Sequence, residues 1–416
     1  MRFCIHRGSK QIGGSCVELE SEGAHIVLDL GLPLDVEAPS GVFVPPIEGL
    51  RSPVPSLLGI VLSHGHRDHW GLLPEIPGNV PLFMGAATER IMRAAAPFVP
   101  NGFSPRSAAY LRDRESFDVG PFRITPYLVD HSGFDAYALL VETGGKRLFY
   151  SGDFRGHGRK AMLFERLLLH PPSDIDVLLM EGSSLGRLGE HDRFPFEFEL
   201  ESQLVEVLRK APGMGLVACS AQNIDRVVTV YRAAKRTGRQ LIVDAYAAEI
   251  LKATNHPSVP KPTVDWPDVK VFIPRRQAIM LKRAGIAPIV DNFRGRRIWP
   301  EKLAEAASSS VLLVRRWMLP ELERLEALRG AVFVWSQWHG YLADGDGKSF
   351  RDDVDRLGLS FHQIHTSGHA SPSDLQRFAV AVSPRRLVPI HTFRPEVFPQ
   401  LFENVFLARD GEWQTV

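Results

Sequence analysis

Three imidazoles and one carboxylate fall within six residues of this chain. They are His64, His66, Asp68 and His69 of the run Ser63-His64-Gly65-His66-Arg67-Asp68-His69. Imidazole is a ligand for zinc, and carboxylate suits harder ions such as manganese or magnesium. His64 and His66 alternate with small or exposed residues, so both rings can face one point. Asp68 and His69 then turn toward a second point beside it. Mixed His/Asp ligation of two ions about 3.5–4 Å apart is a hydrolytic design. The competing reading is a polar loop whose histidines coincide by chance.

The elements that would position these residues are legible on both sides. Leu57-Leu58-Gly59-Ile60-Val61-Leu62 is short and apolar and reads as a buried strand. Trp70-Gly71-Leu72-Leu73-Pro74 reads as a turn and then a helix. The run therefore sits on a loop at a strand end, where a rigid sheet holds loop ligands in place. Other candidates end other strand-like runs. His131 follows Phe122–Leu128; alone it is either a ligand or a satisfied loop histidine, and beside the first cluster it is the natural next ligand. Asp29 ends His25–Leu28 and either orients a histidine or caps a turn. Asp153 follows Arg147–Tyr150 through a Ser-Gly turn and either caps that turn or bridges two metals. Glu181 ends Val177–Met180, where a solvated strand end is the bland alternative. His369 lies in Ser367-Gly368-His369-Ala370, and His391 follows Leu387–Ile390. Between them Ser371-Pro372-Ser373-Asp374 is a helix start.

Length and composition bound the answer. At 416 residues the chain has room for two domains or more. No apolar run approaches the roughly 20 residues that cross a bilayer, so no membrane partner is expected. Met1-Arg2-Phe3-Cys4-Ile5-His6 reads as a strand and carries no signal-peptide pattern. The three cysteines, Cys4, Cys16 and Cys219, form no CxxC, which fits a reducing cytoplasm and small core residues. A formal net charge of +1 argues against a chain coated in basic charge for duplex binding.

The character changes near residue 195. Glu197–Lys210 has helical spacing, Leu216–Ser220 reads as a strand, an amphipathic helix runs to Ala234, and Gln240–Asp244 is the next strand. That order suggests a parallel βαβ unit. Asn223 and Arg226 open the helix; they could contact a phosphate at its N-terminus, or serve as an ordinary cap and surface charge. Residues 270–316 hold eleven Lys and Arg against Asp291, Glu301 and Glu305. This excess could line a groove for a nucleic-acid backbone, with Phe293 and Trp299 stacking bases. A solvated basic face with two core aromatics is the alternative.

The His-x-His-x-Asp-His run resembles the signature of the metallo-β-lactamase fold superfamily. Glu181, as the acid ending its strand, resembles the β-CASP branch, which processes nucleic acids. The Asn223-x-x-Arg226 helix start, the Ser367-Gly368-His369-Ala370 run and Pro389-x-His391 resemble ribonuclease J. The resemblance covers almost the whole chain. It implies an α/β (α+β) protein: a four-layer αββα sandwich in residues 1–194 and 346–416, with an α/β β-CASP insert over 195–345 clamped over the metals. It implies that His64, His66 and His131 hold one ion, that Asp68, His69 and His391 hold the other, and that Asp153 bridges. Two divalent ions are expected, with zinc fitting the histidine-rich set and manganese suiting the aspartates. Hydroxide between them would attack phosphorus, leaving a 5′ phosphate on the product. Asp68, His369 and Glu181 would be catalytic, and Ser367, Gly368, His369, Asn223 and Arg226 would contact substrate phosphates. The implied activity is exonuclease, endonuclease or both, on single-stranded RNA. Alternatives are a DNA nuclease, a hydrolase of small esters or thioesters, and a non-catalytic scaffold. The family's dimers make a homodimer one expected state, although its usual C-terminal dimer domain has no counterpart before Val416.

Overall fold

The computed structural model describes residues 1–36, 44–189, 192–343 and 345–416. Contacts divide the chain into two compact units. One comprises Met1–Ala96, Pro100–Phe194 and Gly368–Val416; the other comprises Pro97–Val99 and Pro195–Ser367.

The first unit is built on two sheets. One orders its strands Trp413–Thr415, Arg2–Arg7, Cys16–Ser21, Ala24–Leu28, Leu57–Val61, Leu82–Gly85 and Ala109–Leu111. The other orders Arg386–Ile390, Val177–Glu181, Lys146–Tyr150, Ala136–Thr143, Phe122–Val129 and Phe117–Val119. Side chains alternate across a strand, and here both faces are apolar. In Ala136–Thr143, Tyr137, Leu139 and Val141 join Phe3, Leu19, Ile26 and Val61 in the core between the sheets. Ala136, Ala138 and Leu140 point the other way, against Phe164 and Leu167 of helix Ala161–Leu169 and Phe378 of helix Pro372–Val382. The outer face of the first sheet, through Val27, Ile60 and Met84, packs on Met92 of helix Ala86–Ala95 and on Trp70 and Leu72. The result is a helix–sheet–sheet–helix sandwich.

Strand direction gathers the candidate residues. Ala24–Leu28 and Leu57–Val61 run parallel. Lys146–Tyr150, Val177–Glu181 and Arg386–Ile390 also run parallel. Phe122–Val129 shares their direction, because Ala136–Thr143 lies antiparallel to it and to Lys146–Tyr150. Within each sheet these strands therefore finish at one edge. Asp29, Ser63, Asp130, Ser151, Glu181 and His391 stand at those finishes. Ligands at the carboxyl ends of parallel strands are a general property of α/β sheets.

The run itself differs from a plain loop. Arg67–Trp70 is one helical turn, and the expected helix after Trp70 is only a 3₁₀ turn, Leu73–Glu75. The turn is stitched down by Ser15 N donating to the Asp68 carbonyl (3.1 Å) and Leu30 N to the His69 carbonyl (2.8 Å). Gly31 is needed here: a Cβ on it would lie 1.7 Å from the Asp68 carbonyl oxygen.

The second unit holds a sheet of seven strands, all parallel, in the order Arg297–Ile298, Val269–Phe272, Gln240–Val243, Ser310–Leu313, Gly215–Ala218, Val332–Trp335 and Ser360–Gln363. The expected end of this domain at 345 is corrected to Ser367. Helix Gly345–Arg356 and strand Ser360–Gln363 belong to it, because Ser360–Gln363 pairs with Val332–Trp335.

Arg226 is the side chain on which this unit's first crossover closes. It is fully buried, opens helix Ile224–Arg236, and reaches Glu197 of helix Glu197–Lys210 through Nε (3.2 Å) and Nη2 (3.0 Å). Its Nη1 donates to Ser336 Oγ at 2.7 Å. Removing one member of a buried pair strands the other charge. Arg226→Ala should cost about 3–5 kcal/mol, read as an early transition in urea unfolding; an unchanged midpoint would contradict this.

Candidate metal centre

Asp153 lies at the middle of the assembled side chains. Its Oδ2 is 3.2 Å from His69 Nε2, 3.6 Å from His391 Nε2, 3.8 Å from His64 Nε2 and 4.0 Å from His131 Nε2. Asp68 Oδ2 stands 3.7 Å from His69 Nε2 and 3.8 Å from His391 Nε2. Three groups have ligand atoms within 4.8 Å of one another: His64, His66 and His131; Asp68, His69, Asp153 and His391; and His131, Asp153 and His369. Tetrahedral ligands about 2.1 Å from one ion stand roughly 3.4 Å apart, which is the spacing seen here.

Four of the histidines, His64, His69, His131 and His391, are held by their other nitrogen, the arrangement that leaves a lone pair for a metal. His69 Nδ1 donates to Asp29 Oδ2 at 2.7 Å, and Tyr150 and Ser63 donate to the same carboxylate oxygen. Ser63 Oγ gives its proton to Asp29, so it accepts from His64 Nδ1 at 3.0 Å. His131 Nδ1 donates to the Gly368 carbonyl at 2.6 Å. His391 Nδ1 lies 2.9 Å from Ser15 Oγ, closer than the Gly13 amide at 3.4 Å, and donating to Ser15 keeps its Nε2 open. His391 has φ +54°, an uncommon backbone for histidine, and Asp29 at the end of Ala24–Leu28 has φ +58°.

The residues fit a metal on three observations. Nε2 of His64, His69 and His391 and Oδ1 of Asp153 are buried without a hydrogen-bond partner. Such atoms are costly unless something satisfies them. Second, His66 Nδ1 and His131 Nε2 meet at 3.0 Å. With His131 Nδ1–H committed to Gly368, that contact needs a proton or a cation between the nitrogens. Third, the charges complement a cation. Burial, reinforced by neighbouring imidazoles, holds His64 and His131 well below the ordinary histidine range. Burial also lowers His66 and His391. Burial opposes a charge on His69, yet Asp153, Asp29 and Asp68 outweigh it and hold its pKa well above the usual value. Burial raises Asp153, but His391, His69 and His369 hold it well below the carboxylate range. The cluster is a pocket of neutral lone pairs around carboxylates that demand positive charge.

Beside it, His369 Nδ1 is 3.1 Å from Glu181 Oε2 and 3.7 Å from Asp153 Oδ2. Burial lowers the imidazolium pKa, but Glu181 and Asp153 outweigh it and push it up to about 9. Glu181 is itself anchored by the Phe154 amide (3.0 Å) and Ser183 Oγ (2.9 Å). Gly368 is in the first unit and Ser367 closes the second.

Of the two residues at the start of helix Ile224–Arg236, Arg226 is corrected, being neither a phosphate contact nor a surface charge, and Asn223 is the ordinary cap. Arg226 is consumed by the buried pair with Glu197, and the Asn223 side chain caps its own helix by accepting from Arg226 N at 3.0 Å. Of the expected stacking residues, Phe293 is buried, whereas Trp299 is 49% exposed with the Arg297 guanidinium 4.0 Å from its ring centre. The sequence reading gave no role to Ser15 or to the cradle behind His131. There Asp130, wholly buried, accepts from the Gly158 amide (2.7 Å) and Arg155 Nε (3.3 Å), while Lys160 Nζ donates to the His131 carbonyl (3.1 Å). Asp130 adjoins His131 in sequence, which was a usable signal; Ser15 carried none.

A sequence profile described as the beta-lactamase superfamily domain matches residues 34–212. That part of the chain is therefore similar to the beta-lactamase superfamily domain. A ribonuclease J of Mycobacterium tuberculosis is 28% identical over 260 residues, 58% of this chain and 44% of that protein. One from Sinorhizobium meliloti is 23% identical, covering 88% of this chain and 63% of its own length. The chain thus spans about half to two thirds of the length of these relatives. A crystal structure of a protein of unknown function from Enterococcus faecalis superimposes over the whole chain with a TM-score of 0.78 at 21% identity, which bears on the fold alone. Among the described residues no helix is long and apolar enough to cross a membrane.

Asp29 touches no candidate ion position, yet it orients His69. Asp29→Asn should weaken metal binding about 10–100-fold. Competition with a chromophoric zinc chelator measures this, and an unaltered affinity in a folded variant would contradict the assignment.

Proposed function

We propose that this chain is a metal-dependent phosphodiesterase that cleaves single-stranded RNA. The observation that carries this reading is the convergence of His64, His66, Asp68, His69, His131, Asp153 and His391, with open ligand atoms, beside the His369–Glu181 pair. The ribonuclease J relatives supply the substrate class. His64, His66 and His131 would hold one divalent ion, Asp68, His69 and His391 a second, and Asp153 would serve both. Zinc suits the histidines, and manganese is the other candidate at the aspartates. Divalent ions at such a site lower the pKa of bound water and polarise phosphoryl oxygens.

The chain's own groups complete the reaction. Asp153 and Asp68 keep the centre anionic, so cations are retained near a polyanionic substrate. Glu181 takes the Nδ1 hydrogen bond of His369 and stabilises the ring as imidazolium. That imidazolium would stabilise charge on the phosphoryl oxygens and give a proton to the leaving 3′ oxygen. The Gly368 carbonyl fixes the His131 ring beside it. The product would carry a 5′ phosphate. The buried, unpaired cysteines are consistent with a cytoplasmic setting.

The test is metal analysis of the purified protein followed by incubation with matched, labelled RNA and DNA oligonucleotides. RNA should be cut and chelation should stop the cutting. Asp68→Ala and His69→Ala should each lower kcat/KM on the order of 10³-fold or more while the protein stays folded. Preferred DNA cleavage, or turnover of a small ester with no oligonucleotide cut, would overturn the RNA assignment; retained cutting in both variants would overturn the metal-site assignment. Glu181→Gln should lower kcat about 10–100-fold with little change in metal content, because it acts through His369; an equal loss in KM alone would contradict that role.

A further inference from the structure

A groove of about 820 Å³ in the second unit is lined by Arg275, Arg276, Arg283, Arg324, Trp317 and Glu321, with Ile279 on its wall. One side is helix Arg275–Arg283, which follows strand Val269–Phe272; the other includes helix Leu319–Arg324, which follows Ser310–Leu313. The chain leaves these two strands toward opposite edges of the sheet. Right-handed crossovers then place the two helices on opposite faces. Their starts meet outside the carboxyl ends of the strands: both Glu321 carboxylate oxygens accept from Arg275 N, at 2.9 and 3.2 Å. A crevice of this kind is where open parallel sheets bind ligands.

Its chemistry is specific. Arg276, Ile279, Met280 and Arg283 repeat at the spacing of one helical face, while Gln277 and Leu281 take the buried side. A face of that spacing ordinarily turns its apolar residues to the core; here Ile279 is 43% exposed between two arginines. Trp317 is half-buried, with the Arg276 guanidinium 5.7 Å from its ring centre. Other arginines of this unit hold acids: Arg315 with Asp244, Arg316 with Asp353, Arg356 with Glu323. Among the described residues Arg275, Arg276 and Arg283 have no carboxylate within ion-pair distance, and Arg324 reaches only Glu321, at 3.8 Å. Four arginines around an apolar, aromatic floor complement an anion that carries flat rings.

We propose that this groove binds a segment of single-stranded RNA, with phosphodiesters on Arg276, Arg283 and Arg324 and a base against Trp317 and Ile279. It is a substrate-holding site built from residues that take no part in the metal centre, and it rests on the RNA reading above. Arginine suits this role because its planar fork pairs with phosphate oxygens and stacks on bases.

The test uses the full chain in chelator, so that RNA is bound and not cut. Fluorescence anisotropy of a labelled, unstructured oligoribonucleotide is followed against salt. The double variant R276A/R283A should bind at least tenfold more weakly, and its log K against log salt slope should fall by about 0.7 per arginine removed. Trp317→Leu should weaken binding about tenfold with the slope unchanged. Arg276→Lys with Arg283→Lys should restore the slope but only part of the affinity. With metal present, turnover of a small chromogenic phosphodiester should be the same in all variants. Wild-type affinity and slope in R276A/R283A, or no RNA binding by the parent chain, would overturn the groove. Weakened binding in the variants of a chain that cuts no RNA would overturn the proposed reaction and leave the groove standing.

Discussion

One buried carboxylate sets the terms for the first unit. Asp153 lies within 4.0 Å of ring nitrogens from His64, His69, His131 and His391, and within the same reach of His369. A buried charge without compensation is unaffordable, so positive charge must collect around it. The carboxylates accordingly hold the pKa of His69 and His369 above the ordinary histidine value. The protein leaves His64, His66, His131 and His391 neutral with lone pairs turned inward, which is what a cation requires of them. The same electrostatic demand explains the unpartnered atoms and the raised and lowered pKa values together.

Holding such a cluster requires rigidity behind it. Asp29 grips His69, Ser63 and Tyr150 at once, so three elements are tied through one carboxylate. Asp130 does comparable work behind His131 through Gly158 and Arg155. These second carboxylates are themselves buried, and each is saturated by donors. The sandwich supplies the rest. Its strands are apolar on both faces, and their common direction delivers their carboxyl ends to one edge of each sheet.

The second unit solves a different problem. Its parallel sheet must bury both faces under helices, and Arg226 shows the consequence for a charged residue near a helix start. It is drawn inside and neutralised by Glu197 and Ser336. Arg276 and Arg283, on the helix after the next strand pair, stay outside beside Ile279 and Trp317. Similar residues at comparable positions thus serve structure in one crossover and remain exposed in the other.

The sequence alone determined the ligand types and their order. A His-x-His-x-Asp-His run after an apolar strand is dense enough that spacing alone implied chemistry, and His131, Asp153, Glu181 and His391 were each marked by a strand end. Helix Glu197–Lys210 and the start of helix Pro372–Val382 were also legible, because periodicity and capping are local. Tertiary structure decided what depends on distant partners. Ser15 orients His391 across 376 positions, and nothing near Ser15 announces it. Arg226 could be read as a phosphate contact until burial and Glu197 claimed it, and Asn223 took the capping role that was its alternative. Phe293 looked available for stacking until the fold placed it inside. The end of the insert shifted to Ser367 because strand pairing is non-local. Local pattern specifies which groups a chain offers; only the packed fold specifies which of them remain unspent.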